Sequence, residues 1–131
     1  MFQDVDHVVI AVKDLDAAIR QYETIYGVPV SERGTPPGAG YHNAYFRLDR
    51  TFLELISPVS AEGPVAKRLA AAGDGPYLIA VRVDDLQEAV AELRAKGVRL
   101  LGDPGAGQPI TGQVFIHPGS AGGVLTQLIQ R

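Results

Sequence analysis

A repeat constrains this chain more than any other feature of its sequence. The stretch His7-Val8-Val9-Ile10-Ala11-Val12-Lys13-Asp14-Leu15 returns as Leu78-Ile79-Ala80-Val81-Arg82-Val83-Asp84-Asp85-Leu86. The far end of each half repeats as well: Phe52-Leu53-Glu54-Leu55-Ile56 corresponds to Leu125-Thr126-Gln127-Leu128-Ile129. Two copies of one strand–helix–strand pattern imply modules related by a pseudo-twofold axis. A ligand site then belongs on the surface that both halves share. The equivalent positions there are 7, 54, 78 and 127, and they read His, Glu, Leu and Gln. The first half offers two metal-donor side chains, and the second offers an apolar residue and a neutral amide.

Composition narrows the partners. A hydrophobic fraction of 46% with 21% charged residues is globular, and 131 residues can bury a core as a single domain. A net charge of −3 with no basic face argues against a nucleic-acid partner. The absence of Cys excludes disulfides, thiolate catalysis and Cys-ligated zinc. The N-terminus has no basic segment followed by an apolar one, and no apolar run reaches membrane-spanning length. A cytoplasmic protein with no membrane partner is the expectation.

Both modules read as βαβββ. In module one, residues 1–57, the β-branched run 5–12 is a strand. A helix follows from Leu15, with Ala18, Ile19, Tyr22, Ile25 and Tyr26 at helical spacing, Asp14 or Asp16 as its cap and Gly27 as its stop. Strands are expected at 28–33, 41–48 and 51–57, with a Gly/Pro loop at 34–40. A connector, 58–76, carries a short helix at 64–72. Module two, 77–131, places strands at 77–83, 98–102, 111–117 and 124–130 and a helix at 85–96 stopped by Gly97. The Gly-rich loops at 36–40 and 105–107 read as lids. Neither is followed by a helix, so they do not match a phosphate-cradling loop.

Alternation along strands sorts the side chains by face. Val8, Ile10, Val12, Ala44, Phe46, Leu48, Leu53 and Leu55 are expected beneath the helix. His7, Val9 and Ala11, then Asn43, Tyr45 and Arg47, then Phe52, Glu54 and Ile56 face the other way. Leu78, Ala80 and Arg82, with Gln113, Phe115 and His117, repeat that row. Tyr45 and Phe115 would clamp a planar ligand or form an aromatic core. Arg47 and Arg82 would bind a carboxylate or phosphate, or pair with a neighbouring acid. Lys67 and Arg68 read as a solvated helix face, His42 as a rim residue and His117 as structural or rim-lining.

The string Asp6-His7-Val8-Val9-Ile10-Ala11-Val12 with Asp14-Leu15, and Phe52-Leu53-Glu54-Leu55-Ile56-Ser57-Pro58, resemble the vicinal oxygen chelate (glyoxalase/bleomycin-resistance/dioxygenase) superfamily. Pro64-Val65-Ala66-Lys67, Gly73-Asp74-Gly75, Gly97-Val98-Arg99-Leu100, Phe115-Ile116-His117-Pro118 and Gly122-Gly123-Val124-Leu125 resemble its methylmalonyl-CoA epimerase branch more closely. The resemblance covers nearly the whole chain. It implies an α+β fold in which two βαβββ modules form an open, barrel-like cavity, and a homodimer. It also implies a divalent metal held by a His on the first strand, a Glu or Gln on the fourth, a His on the fifth and a Glu on the eighth. That metal would stabilise the oxyanion formed by proton abstraction beside a carbonyl.

His7 and Glu54 match the first two ligand positions. The third falls on Leu78 and the fourth on Gln127. Epimerases of this branch use a pair of carboxylates as acid and base. One position falls on Gln127, and the other lies after the second strand, where residues 34–51 hold only Asp49, in a turn. Two readings stay open. In the first, an epimerase-like or lyase-like protein acts on a small carbonyl compound or an acyl thioester such as an acyl-CoA. Glu54 and Gln127 are its catalytic candidates, and His7, Glu54 and Gln127 form a reduced site for zinc, cobalt, nickel or manganese, or Glu54 works alone as a base. Its substrate contacts would be Asn43, Tyr45, Arg47, Leu78, Arg82, Gln113 and Phe115. In the second, a metal-free protein binds or sequesters a small molecule above an apolar floor that includes Leu78.

Overall fold

The computed structural model describes residues 1–131. The chain folds as two compact units, Val8–Tyr77 and Met1–His7 with Leu78–Arg131. The element order is β1 (Phe2–Ala11), α1 (Leu15–Tyr26), β2 (Glu32–Gly34), β3 (Tyr41–Arg47), β4 (Phe52–Pro58), α2 (Pro64–Ala72), β5 (Gly75–Val83), α3 (Leu86–Ala95), β6 (Leu100–Leu101), β7 (Val114–Ile116), a 3₁₀ turn at Pro118–Ser120 and β8 (Thr126–Gln130). The fold is α+β, with βαβββ order in both halves and α2 as the connector. No helix is long and apolar enough to cross a membrane.

In the unit Val8–Tyr77 the strands run in the order β2-β3-β4-β1. β3 is antiparallel to both β2 and β4, pairing Glu32 with Tyr45 and Tyr45 with Glu54. The Asp14 carboxylate accepts the Ala17 N–H at 3.0 Å and starts α1. Gly27 ends the helix in the left-handed region at φ 69°, a conformation a side chain disfavours. α1 lays Leu15, Ala18 and Ile19 on Ala44, Phe46, Leu53 and Leu55, with Val8 and Ile10 packed alongside. The expected core row holds except at Leu48, which is 43% exposed because β3 stops at Arg47.

α2 begins on Pro64, whose missing N–H suits a first helical turn, and buries Val65 and Leu69. Arg68, expected on a solvated face, instead donates to the carbonyls of Gly73 (2.8 Å) and Pro76 (3.2 Å) and ties the end of the connector down.

In the other unit β5 pairs with β8 in parallel, and β7 is antiparallel to both β8 and β6. Asp85 caps α3 by accepting the Glu88 N–H at 2.9 Å. The core is Val83, Ala89, Val90, Leu93, Val114 and Leu128. Arg94 grips Asp103 through Nε (2.9 Å) and Nη2 (2.6 Å). That hydrogen bonding, with the Gly105 N–H, holds the Asp103 carboxyl below its ordinary pKa.

The strands expected at 98–102 and 111–117 shrink to two and three residues. Gly102, the residue after β6, sits at φ 84°. A Cβ there would lie 2.1 Å from the Gln113 carbonyl oxygen. Gly102→Ala is therefore expected to destabilise the protein by about 2–4 kcal/mol, from left-handed strain plus steric overlap. Urea unfolding checks this, and a loss under about 1 kcal/mol would mean the strand end yields without resistance.

Candidate functional site

The face of β3 and β4 opposite α1 carries a polar cluster in an aromatic setting. Glu54 is 7% exposed and Asn43 is 4% exposed. The Asn43 side-chain amide nitrogen donates to Glu54 Oε2 at 3.0 Å and to Tyr45 Oη at 3.1 Å. Period-two alternation brings Asn43 and Tyr45 onto one face, and the antiparallel register sets Tyr45 across from Glu54. Tyr45 meets Phe52 edge to face at a ring separation of 5.2 Å. The Arg47 guanidinium lies over both rings, 5.9 Å and 5.6 Å from their centres, and pairs with Glu32 at 3.2 Å.

Electrostatics around this cluster favour neutral phenols. Burial, and then the Glu54 charge, push the Tyr41 and Tyr45 hydroxyls above the ordinary tyrosine pKa. Burial alone does the same for Tyr77. All three remain protonated well beyond neutral pH and can act only as hydrogen-bonding groups there. A cavity of about 270 Å³ opens beside the cluster, lined in part by Glu32, Thr35, Asn43 and Tyr45.

In the other unit His7 is 5% exposed and its Nδ1 lies 2.7 Å from Asp6 Oδ2. Asp6 Oδ1 accepts from Arg131 Nε at 2.9 Å. Burial works against the Asp6 carboxylate, but hydrogen bonds from His7 and Arg131, with their charges, outweigh it and keep its pKa low. An ionised carboxylate only accepts, so His7 Nδ1 carries the proton of this bond. This clamp is absent from the sequence reading. Its only signal is an Asp before a His, and Arg131 stands at the opposite end of the chain.

The remaining sequence candidates are distributed as follows. Leu78 is buried at 8% exposure. Gln127 is half-buried on β8, in register with Phe115 of β7. Arg82 pairs with Asp4 at 2.8 Å, and its Nε is buried without a hydrogen-bond partner. Gln113 lies just before β7 and is exposed. His42 is exposed and bonds Thr35 at 2.7 Å. His117 caps the 3₁₀ turn by accepting the Gly119 N–H at 2.9 Å.

The donor chemistry can be tested against a metal. No three His, Cys, Asp or Glu side chains group where they could hold an ion. Of the set His7, Glu54 and Gln127, two are strong donors and one is a neutral amide, and Leu78 contributes none. A borderline divalent ion in a catalytic site normally takes three strong donors and keeps a position open. The residues present do not fit such a centre.

The glyoxalase-like domain family model matches residues 5–120. This chain belongs to that family, within the vicinal oxygen chelate superfamily and near its methylmalonyl-CoA epimerase branch. It is 36% identical over 130 residues to the mitochondrial methylmalonyl-CoA epimerase of Homo sapiens, covering 95% of this chain and 72% of that one. It is 32% identical over 136 residues to the ethylmalonyl-CoA/methylmalonyl-CoA epimerase of Cereibacter sphaeroides, covering 99% of both. A solved structure of a Streptomyces coelicolor methylmalonyl-CoA epimerase variant in complex with 2-nitronate-propionyl-CoA superposes with a TM-score of 0.86. It is 32% identical, over 99% of this chain and 98% of that one. A methylmalonyl-CoA epimerase in complex with methylmalonyl-CoA and ammonium gives the same TM-score and identity, over 99% and 95%.

Proposed function

We propose that this glyoxalase-like protein acts on the carbon next to the carbonyl of an acyl-CoA thioester, as an isomerase of the epimerase type whose base is Glu54. The observation that carries this reading is the Glu54 carboxylate itself. It is almost wholly buried, it is held at 3.0 Å by the Asn43 amide, and Tyr45 stands opposite it in the register. A fixed carboxylate with little water around it is suited to take a proton from carbon. The acyl-CoA ligands of the S. coelicolor protein and of the methylmalonyl-CoA complex support the substrate class.

In this reading His7, oriented by Asp6, and the neutral Gln127 are secondary polar groups. Asn43, Tyr45 and Arg47 are the positions offered to substrate in the unit that holds Glu54; the sequence offers Leu78, Arg82, Gln113 and Phe115 from the other. Arg47 and Arg82 already hold Glu32 and Asp4, so a CoA phosphate or acyl carboxylate would have to compete for them. The metal set of His7, Glu54 and Gln127 is not required.

The test is α-proton exchange. Protein purified without tag or chelator is assayed for metal by elemental mass spectrometry, then incubated with methylmalonyl-CoA or propionyl-CoA in D₂O. Deuterium incorporation without stoichiometric metal is the expected result. Exchange that appears only on adding a divalent ion would overturn Glu54 as a self-sufficient base. Binding of acyl-CoA with no exchange would leave the second reading, a metal-free binding protein, which the buried Leu78 favours.

A further inference from the structure

Removing a proton beside a thioester carbonyl leaves negative charge on the carbonyl oxygen, and something must stabilise it. The metal-donor positions do not supply that partner here. The remaining candidates are neutral donors within reach of Glu54. Tyr45 is the one whose hydroxyl is bonded into the cluster and whose side chain also lines the 270 Å³ cavity. Its Oη accepts from Asn43, so its own O–H remains to donate, and the Glu54 carboxylate, across from it in the strand register, is the acceptor beside it.

We infer that the Tyr45 phenol is the hydrogen-bond donor that stabilises the enolate oxygen of a deprotonated acyl thioester, in the role a metal plays where a full donor set exists. The inference rests on the reading of Glu54 as base. Glu54 takes the proton from the α-carbon, the C–H pair becomes the C=C bond to the thioester carbon, and the carbonyl π pair moves onto oxygen. Tyr45 donates a hydrogen bond to that oxygen and keeps its proton. The geometry also supplies the timing. Before reaction the strongest acceptor near the phenol is the Glu54 carboxylate. Once Glu54 is protonated, the negative charge lies on the substrate oxygen, and the O–H turns to it. Asn43 holds both groups throughout by donating to each from one nitrogen. The reverse step returns a proton, exchanged with solvent, from Glu54 to the same face of the carbon, which accounts for α-proton exchange; inversion requires a second donor on the opposite face.

An oxyanion donor binds the charged state better than the ground state, and this separates it from a packing residue. The probes are 2-nitronate-propionyl-CoA, which carries fixed negative charge at the reacting end, and propionyl-CoA, which does not. Tyr45→Phe keeps the ring against Phe52. It is expected to weaken nitronate binding by about 10–100-fold and propionyl-CoA binding by less than about 3-fold, both by titration calorimetry. Equal weakening of both ligands, or of neither, would overturn the inference. Should Tyr45→Phe fail to fold, 3,5-difluorotyrosine at position 45 acidifies the phenol while keeping its shape. The nitronate should then bind more tightly with propionyl-CoA unchanged, and no difference would again overturn the inference. A wild-type protein that binds neither ligand defeats the acyl-CoA reading itself, before any variant is made.

Discussion

Glu54→Gln is expected to slow α-proton exchange on an acyl-CoA by about 10²–10⁴-fold, the range for loss of a positioned general base. The substitution is conservative in shape. A Gln side chain can present its carbonyl oxygen to the Asn43 amide, which now donates to Glu54 Oε2 at 3.0 Å. The strand register across Tyr45 is a backbone property and does not depend on the charge. Folding should therefore survive, and propionyl-CoA affinity should change by less than about 3-fold, because its uncharged acyl end gains little from the carboxylate. The observable is the rate of deuterium incorporation by mass spectrometry in metal-free buffer, with thermal unfolding as the fold control. A variant exchanging within a factor of about 3 of wild type would remove Glu54 from the chemistry. A variant that loses binding and exchange together would show that Glu54 positions substrate.

Much of the framework behind that prediction is legible in the sequence, for a local reason. The repeat of His7–Leu15 in Leu78–Leu86 sets two βαβββ modules, and capping by Asp14 with Gly27 at the helix end is chemistry within a few residues. Period-two alternation likewise places Asn43, Tyr45 and Arg47 on one face of β3. The short strands of the second half were harder to read. Leu100–Leu101 and Val114–Ile116 are short apolar runs whose pairing ends beside Gly102, where a Cβ would meet the Gln113 carbonyl, a relation no periodicity records.

The site was legible in its residue types but not in its bonds. Glu54 and Asn43 could each be assigned to a face. That one amide nitrogen serves both Glu54 and Tyr45 depends on register between β3 and β4. The Arg131–Asp6–His7 chain joins the two ends of the sequence, so no local pattern reports it. Glu32 stands across from Tyr45 and holds Arg47 through pairing between strands, which leaves no local signal in the sequence.

Phe46→Ala is expected to cost about 3–5 kcal/mol, the usual range for removing a fully buried ring. Phe46 is 0% exposed in the core beneath α1. Its ring lies 6.2 Å from that of Tyr22 and 5.9 Å from that of Tyr26, so truncation strips an aromatic contact from two helix residues at once. Small domains hold only about 5–15 kcal/mol in total, so this one change consumes a large share of the folding stability. It should also reach the site. Tyr45 and Phe46 are neighbours on β3 pointing to opposite faces, and the ladder that fixes Tyr45 across from Glu54 pairs Phe46 with Leu53. Loosening the core side of β3 therefore loosens the polar cluster on its reverse. Urea unfolding should show a midpoint shift for Phe46→Ala several times larger than for Phe46→Leu, which refills most of the volume. Exchange activity in the folded fraction should fall with it. A loss below about 1 kcal/mol would mean that the Tyr22 and Tyr26 rings collapse into the gap and that α1, not Phe46, carries the packing of this unit.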